Sequence, residues 1–90
     1  MLARALAGSA IAAGCSVRVI DHRSIAWSSA TFVGERHRLT LVTSGDAADW
    51  LAGLPDAEFA LRGHLVVDLL VVGIDADAVA TVEVLTLIES

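Results

Sequence analysis

The chain has 90 residues, of which 56% are hydrophobic, and a net charge of −5. Its mean hydropathy is +0.70, and its length is that of one domain, residues 1–90. A single cysteine excludes an intramolecular disulfide and a zinc site of four cysteines. No run reaches the ~18–20 uninterrupted apolar residues of a membrane-spanning helix, so we expect no membrane association and a reducing, cytoplasmic location.

Charge is divided unevenly between the two halves. Residues 1–45 carry five arginines against two acidic residues, whereas residues 46–90 carry one arginine against nine acidic residues. Halves of opposite sign attract one another within one subunit or between two. The acidic total disfavours nonspecific binding to nucleic acid, which depends on neutralising phosphates.

Residues 2–13 are dominated by alanine and predict a first helix. Leu2, Leu6, Ile11 and Ala13 lie roughly on one stripe, and Gly14 follows where a helix often ends in a left-handed residue. We therefore expect a structural amphipathic helix here.

An alternative for the same segment comes from residues 12–15, Ala-Ala-Gly-Cys. This tetrapeptide resembles the end of a bacterial lipoprotein signal, and the resemblance implies an acylated Cys15. It covers only about 15 residues, and Ala12 stands where such signals usually have leucine. A predicted strand follows Cys15 at once, where lipoproteins usually have a polar tether, so we favour a buried structural thiol.

The middle of the chain predicts a strand, a connection and a hairpin. Residues 15–21 alternate as a strand, and residues 22–29 read as a connection that contains Trp27. Residues 30–33 and 36–43 then predict a β-hairpin around Gly34-Glu35, since glycine suits the first loop position of a type II′ turn. In the second arm His37, Leu39 and Leu41 form the expected inward face.

A second, short helix is expected after Ser44-Gly45, with Asp46 as its N-cap and Pro55 as its stop. Residues 56–62 read as extended. Gly63 marks either a bulge in one strand over residues 58–73 or a turn between two strands, and the sequence leaves both open.

The C-terminal third contains two apolar runs, residues 65–72 and 79–88, joined by a turn over residues 73–78. They predict an antiparallel hairpin. An antiparallel sheet with one face in water alternates apolar and polar residues, but here both faces are largely apolar. Two short helices cover one face only, so we expect the other face to meet a second copy of the chain.

No motif for catalysis or for a cofactor is present, and we predict neither a metal site nor a cofactor. His22, His37 and His64 form no His-x-x-x-His or Cys-x-x-Cys pattern. His64 and Asp68 share a predicted strand face but lie ~13 Å apart, too far to chelate one ion. Asp75 and Asp77 lack the further ligands of a calcium loop.

These features predict an α+β, two-layer domain with a mainly antiparallel sheet of four to six strands and two short helices on one face. The leading function hypothesis is a structural or interaction module that self-associates as a homodimer or higher oligomer through the C-terminal β-hairpin. One alternative is a small-molecule or accessory enzyme site near Trp27, His22 and His37. Another is weak nucleic-acid binding by arginines interleaved with aromatics. The candidate ligand or interface residues are Trp27, His22, His37, His64 and Asp68, and the candidate nucleic-acid residues are Arg23, Arg36 and Arg38.

Overall fold

The computed structural model describes residues 1–88 and contains two helices and four strands. The strands form one antiparallel sheet in the order β1-β2-β4-β3, which confirms the predicted fold class. The elements in chain order are α1 (Leu2–Ala12), β1 (Ser16–Ser28), β2 (Val33–Ser44), α2 (Ala48–Gly53), a 3-10 turn (Leu54–Asp56), β3 (His64–Ile74) and β4 (Val79–Ile88). No helix within residues 1–88 is long and apolar enough to cross a bilayer.

Both helices pack on the same face of the sheet, which we call the helix face. Their buried side chains share one core with inward residues of the sheet, and the Trp50 indole N–H donates to Ser9 Oγ at 3.0 Å, which joins α2 to α1. The core side chains include Leu2, Leu6 and Ala10 of α1, Trp50 and Leu51 of α2, Leu39 and Leu41 of β2, Leu69 of β3, and Ala80, Val82 and Val84 of β4.

The N-terminal segment packs as the structural helix that its alanine content predicts. Leu2, Leu6 and Ala10 are buried, and Gly14 adopts a φ of 87° just after the helix ends. Cys15 is buried, and its thiol donates to the Ala10 carbonyl at 3.4 Å. Cleavage ahead of Cys15 would remove three buried side chains from the core, so the packing favours the structural interpretation.

The first hairpin differs from its prediction. β1 continues to Ser28, so the expected connection over residues 22–29 is mostly strand, and Gly34-Glu35 lies inside β2 rather than at a turn. The chain reverses at residues 29–32, where Ser29 Oγ accepts from the Phe32 N–H at 3.1 Å and the Ser29 N–H donates to the Phe32 carbonyl at 2.8 Å. Serine can stabilise a turn through its side-chain hydrogen bonds, and a turn at residues 29–32 lets β1 and β2 pair over more residues than a turn at Gly34 would.

The second helix begins at Ala48, and Ala47 stands at its N-cap position without a side-chain hydrogen bond. The prediction that Asp46 caps this helix was therefore wrong. Pro55 lies in the 3-10 turn that follows at once, which keeps the helix short as predicted.

Gly63 occupies a turn. Its φ is 76°, and the His64 N–H donates to the Leu61 carbonyl at 3.1 Å. β3 therefore begins at His64, and Leu61 makes only an isolated bridge to it. The register of β3 against β4 shifts twice, between Val66 and Asp68 and between Val71 and Gly73.

Each register shift reverses which face the following residues occupy. His64 and Val66 lie on the helix face, and after the first shift Leu69 and Val71 do so, while Asp68 lies on the opposite face. The expectation that His64 and Asp68 share a face was therefore wrong, because strict alternation along the sequence does not account for a bulge.

Candidate functional site

Two histidines meet on the helix face, beside the beginning of α1. His22 lies on β1 opposite Leu39, and His37 lies on β2 two residues before Leu39. This diagonal placement brings their rings to a centroid distance of 5.1 Å, tilted by 44°. His22 Nε2 and His37 Nδ1 are 2.9 Å apart, within hydrogen-bond distance.

The partners of His37 indicate which ring nitrogen carries its proton. His37 Nε2 lies 3.0 Å from Thr86 Oγ1 and 3.6 Å from a carboxylate oxygen of Glu35. The Thr86 hydroxyl donates in turn to the Glu35 carbonyl at 3.5 Å. Because a carboxylate only accepts, these contacts favour a proton on Nε2 and leave the lone pair of Nδ1 directed at His22.

His64 lines the same cavity, which has a volume of about 230 Å³ and also borders Leu2 and Leu61. The structure therefore brings His22, His37 and His64 to one cavity although they lie on three strands. Within residues 1–88, no three His, Cys, Asp or Glu side chains are grouped closely enough to hold a metal ion as they stand.

Trp27 and Asp68 lie away from this cavity. Trp27 pairs with Gly34 and Asp68 with Leu85, and both positions face the side of the sheet that carries no helix. The predicted grouping of Trp27 with His22 and His37 is thus divided between two faces, since Trp27 is an odd number of positions (five) after His22 on the same strand.

The side chain of His37 is only 9% exposed. Burial lowers its pKa below the usual 6.5, because the imidazolium form loses solvation, and the neighbouring His22 lowers it further. Glu35 opposes this shift by favouring the charged form, and His64 adds slightly to it. His37 is therefore neutral over a wider pH range than a free histidine.

This lowered pKa predicts a pH dependence of stability. As pH falls below about 6.5, the unfolded chain takes up a proton on His37 before the folded chain does. The free energy of unfolding is thus fully retained above that pH and decreases as pH falls towards the folded-state pKa. Urea denaturation in EDTA at pH 7.5 and 5.5 measures this decrease.

The matched variant is His37→Gln, which keeps a hydrogen-bonding side chain but does not titrate. We expect the difference in stability between the two pH values to be smaller in His37→Gln than in the wild type. An equal or larger difference in the variant would show that other groups cause the pH dependence.

The opposite side of the sheet, which we call the open face, is covered by no helix or strand among the described residues. One end of this face is apolar and includes the half-exposed Leu65, whereas the row across its centre carries Arg23, Arg38 and Glu83. Its apolar side chains are Ile25 and Trp27 on β1, Val42 on β2, Leu65 and Leu70 on β3, and Val79, Leu85 and Leu87 on β4.

The two halves of the open face differ in net charge. Four arginines and Asp21 lie on β1 and β2, and the acidic side chains of Asp68 and Glu83 lie on β3 and β4. Two of the arginines contact carboxylates: Arg23 lies 3.1 Å from Asp21 and Arg38 lies 3.9 Å from Glu83. The basic side chains are Arg18, Arg23, Arg36 and Arg38. These ion pairs reduce the positive charge that nucleic-acid binding would require.

A further cavity of about 560 Å³ lies between α2 and the end of β3. Its lining is mostly apolar, with Leu51, Leu70 and Ile74 as its larger side chains, and Asp46 is its one charged residue. No sequence motif indicates this cavity, since its residues come together only when α2 packs beside β3. With so few polar groups, it offers little to orient a specific ligand.

No family model, no curated protein and no solved structure matches this chain.

Proposed function

We propose that the chain is an interaction module that forms a homodimer by packing the open faces of two sheets together. The observation that carries the proposal is the exposure of the C-terminal hairpin on that face. Leu65 and Leu70 are 50% and 54% exposed, and Ile25 on β1 is 71% exposed. Exposed apolar side chains favour association, since burial of their surface is favourable by ~25 cal/mol per Å².

The size of the open face suits a dimer. Four strands about 4.8 Å apart and ten paired residues of about 3.3 Å each define a face of roughly 600 Å². Two such faces would bury roughly 1,200 Å² or more, which reaches the range of specific interfaces. Sheets pack face to face about 10 Å apart, with side chains from both filling the space between them.

The charges select one orientation of the second copy. A two-fold axis parallel to the strands, between β2 and β4, places the basic half of each open face over the acidic half of the other. An axis perpendicular to the strands would instead place β1 over β1 and bring arginines together. Complementary potentials favour the first arrangement.

The edges of the sheet are less suited to association than its face. β3 carries two register shifts, and β1 carries one between Val19 and Asp21. Bulges and charged side chains on edge strands hinder pairing with another chain. We therefore place the interface on the open face rather than along an edge.

Light scattering coupled to size exclusion tests the proposal. At low micromolar concentration we expect a mass twice the 9.4 kDa of one chain. Leu65→Lys with Leu70→Lys is expected to give the monomer mass, because it adds two positive charges to β3, which lies over the arginines of β1 in the proposed orientation. Ile11→Lys is the matched control: Ile11 is 70% exposed but lies on α1, so this variant should stay dimeric.

A wild-type chain of 9.4 kDa at 100-fold higher concentration would overturn the proposal. So would a dimer that persists in the double lysine variant. The orientation makes a separate prediction: raising the salt concentration should weaken the dimer, since screening reduces attraction between the two halves.

A further inference from the structure

We propose that His22 and His37 bind a divalent transition-metal ion of the zinc or copper class, with solvent completing its coordination. This inference does not depend on the dimer, because both histidines lie on the helix face. It concerns one ion per chain, held between the two strands β1 and β2.

The distance between the two nitrogens suits a shared ion. Ligand nitrogens about 2.0–2.1 Å from a tetrahedral zinc ion lie roughly 3.3 Å from each other. His22 Nε2 and His37 Nδ1 are 2.9 Å apart, so a small rotation of the His22 ring makes room for the ion. His22 is exposed, and its ring can therefore turn without displacing core side chains.

His37 already has the outer contacts of a metal ligand. Its Nε2 faces the Thr86 hydroxyl at 3.0 Å and the Glu35 carboxylate at 3.6 Å. Metal-binding histidines usually donate their second ring N–H to such groups, which orients the ring and strengthens the ligand. Nδ1 is thereby left as the atom that offers a lone pair towards His22.

The proton between the two rings need not leave the protein. With the His37 proton on Nε2, as its contacts favour, His22 Nε2–H is the donor to His37 Nδ1 in the unliganded pair. When an ion binds, the exposed His22 carries its proton on Nδ1 instead and offers the lone pair of Nε2. Both rings stay neutral, so the ion replaces one hydrogen bond with two coordinate bonds.

The donor atoms define the class of ion. Two imidazole nitrogens favour Zn²⁺, Cu²⁺ and Ni²⁺, whereas Mg²⁺ and Ca²⁺ prefer several oxygen ligands. The cavity of about 230 Å³ leaves space for water ligands, and His64 on its wall is available as a third ligand after a change of rotamer. The single thiol, that of Cys15, donates a hydrogen bond to the Ala10 carbonyl and lies outside this cavity.

Isothermal titration of the untagged chain with zinc chloride and copper chloride tests the proposal, with magnesium chloride as the negative control. We expect one Zn²⁺ or Cu²⁺ per chain and no measurable Mg²⁺ binding. His22→Ala and His37→Ala should each weaken binding by more than tenfold, and Thr86→Val should weaken it by about tenfold through loss of the outer contact. Ser28→Ala, an exposed position at the far end of β1, should bind as the wild type does.

Electron paramagnetic resonance of the Cu²⁺-loaded chain counts the nitrogen ligands. Two nitrogens support the pair, and three that fall to two in His64→Ala support the pair together with His64. If His37→Ala fails to fold, the metal affinity of His22→Ala still tests the proposal, because His22 is exposed. Equal affinity in His22→Ala and the wild type, or no binding of Zn²⁺ and Cu²⁺ above the level of Mg²⁺, would overturn the proposal.

Discussion

Gly34→Ala is expected to lower the free energy of unfolding by roughly 3 kcal/mol or more, a large part of the stability of a small domain. A Cβ atom at this position would lie 1.9 Å from the backbone carbonyl oxygen of Thr86 and 3.0 Å from Leu87 Cα. Overpacking in a core costs about 1–3 kcal/mol, and more where backbone must move. The total free energy of unfolding of a small domain is only about 5–15 kcal/mol.

The clash is severe because it involves two central strands. Gly34 pairs with Leu87 at the end of the β2–β4 ladder. The two nearest obstructing atoms, the Thr86 carbonyl oxygen and Leu87 Cα, both belong to the backbone. A side chain could rotate away, but a carbonyl can move only if the strand moves. The measurement is urea denaturation followed by circular dichroism, with the thermal midpoint as a second value.

Gly73→Ala is the matched control. Gly73 also lies in a strand, its φ is outside the left-handed region, and a Cβ there would meet no atom within 4 Å. Because glycine weakens a strand interior, this variant should be unchanged or more stable by up to about 1 kcal/mol. A small effect of Gly34→Ala, comparable to that of Gly73→Ala, would contradict the close approach of β2 and β4.

Leu6→Ala is expected to lower the free energy of unfolding by about 2–5 kcal/mol. Leu6 lies at the centre of α1, is fully buried, and packs in the single core that joins both helices to the sheet. Its truncation removes apolar contacts and leaves a cavity that the surrounding β-strands cannot readily fill. Alanine favours helix more than leucine does, so the loss cannot be attributed to helix propensity.

Ile11→Ala on the same helix is the control that distinguishes the loss of a buried side chain from the loss of an apolar side chain in general. Ile11 is 70% exposed, so its truncation removes little buried surface and improves helix propensity slightly. We expect a change within about 0.5 kcal/mol. Comparable losses for Leu6→Ala and Ile11→Ala in the same denaturation experiment would show that α1 packs with a different face.

The first hairpin shows where local patterns were insufficient. Glycine is common in tight turns, so the local sequence predicts a turn at Gly34, whereas the alternation after it correctly predicts a strand. A glycine that permits two strands to approach closely has the same local appearance. The difference lies in Thr86, which is 52 residues away in the sequence and adjacent in the sheet.

In the candidate site, too, the sequence indicates individual residues but not which of them lie together. His22, His37 and His64 were each identified as candidates, but their spacing predicted no shared site. Cross-strand register brings His22 to His37, and the turn at Gly63 starts β3 so that His64 reaches the same cavity. Asp68 was placed with His64 by strict alternation, which the register shift after Val66 reverses.

The amino-acid sequence alone indicated a small α+β domain with an alanine-rich first helix, a short second helix and an antiparallel C-terminal hairpin. These features follow from local preferences and from the periodicity of apolar residues, which act over a few neighbouring positions. The strand order, the bulges of β3 and the contact between His22 and His37 became evident only from the three-dimensional structure. Such features depend on pairing between distant segments, where one inserted residue moves every following side chain to the other face.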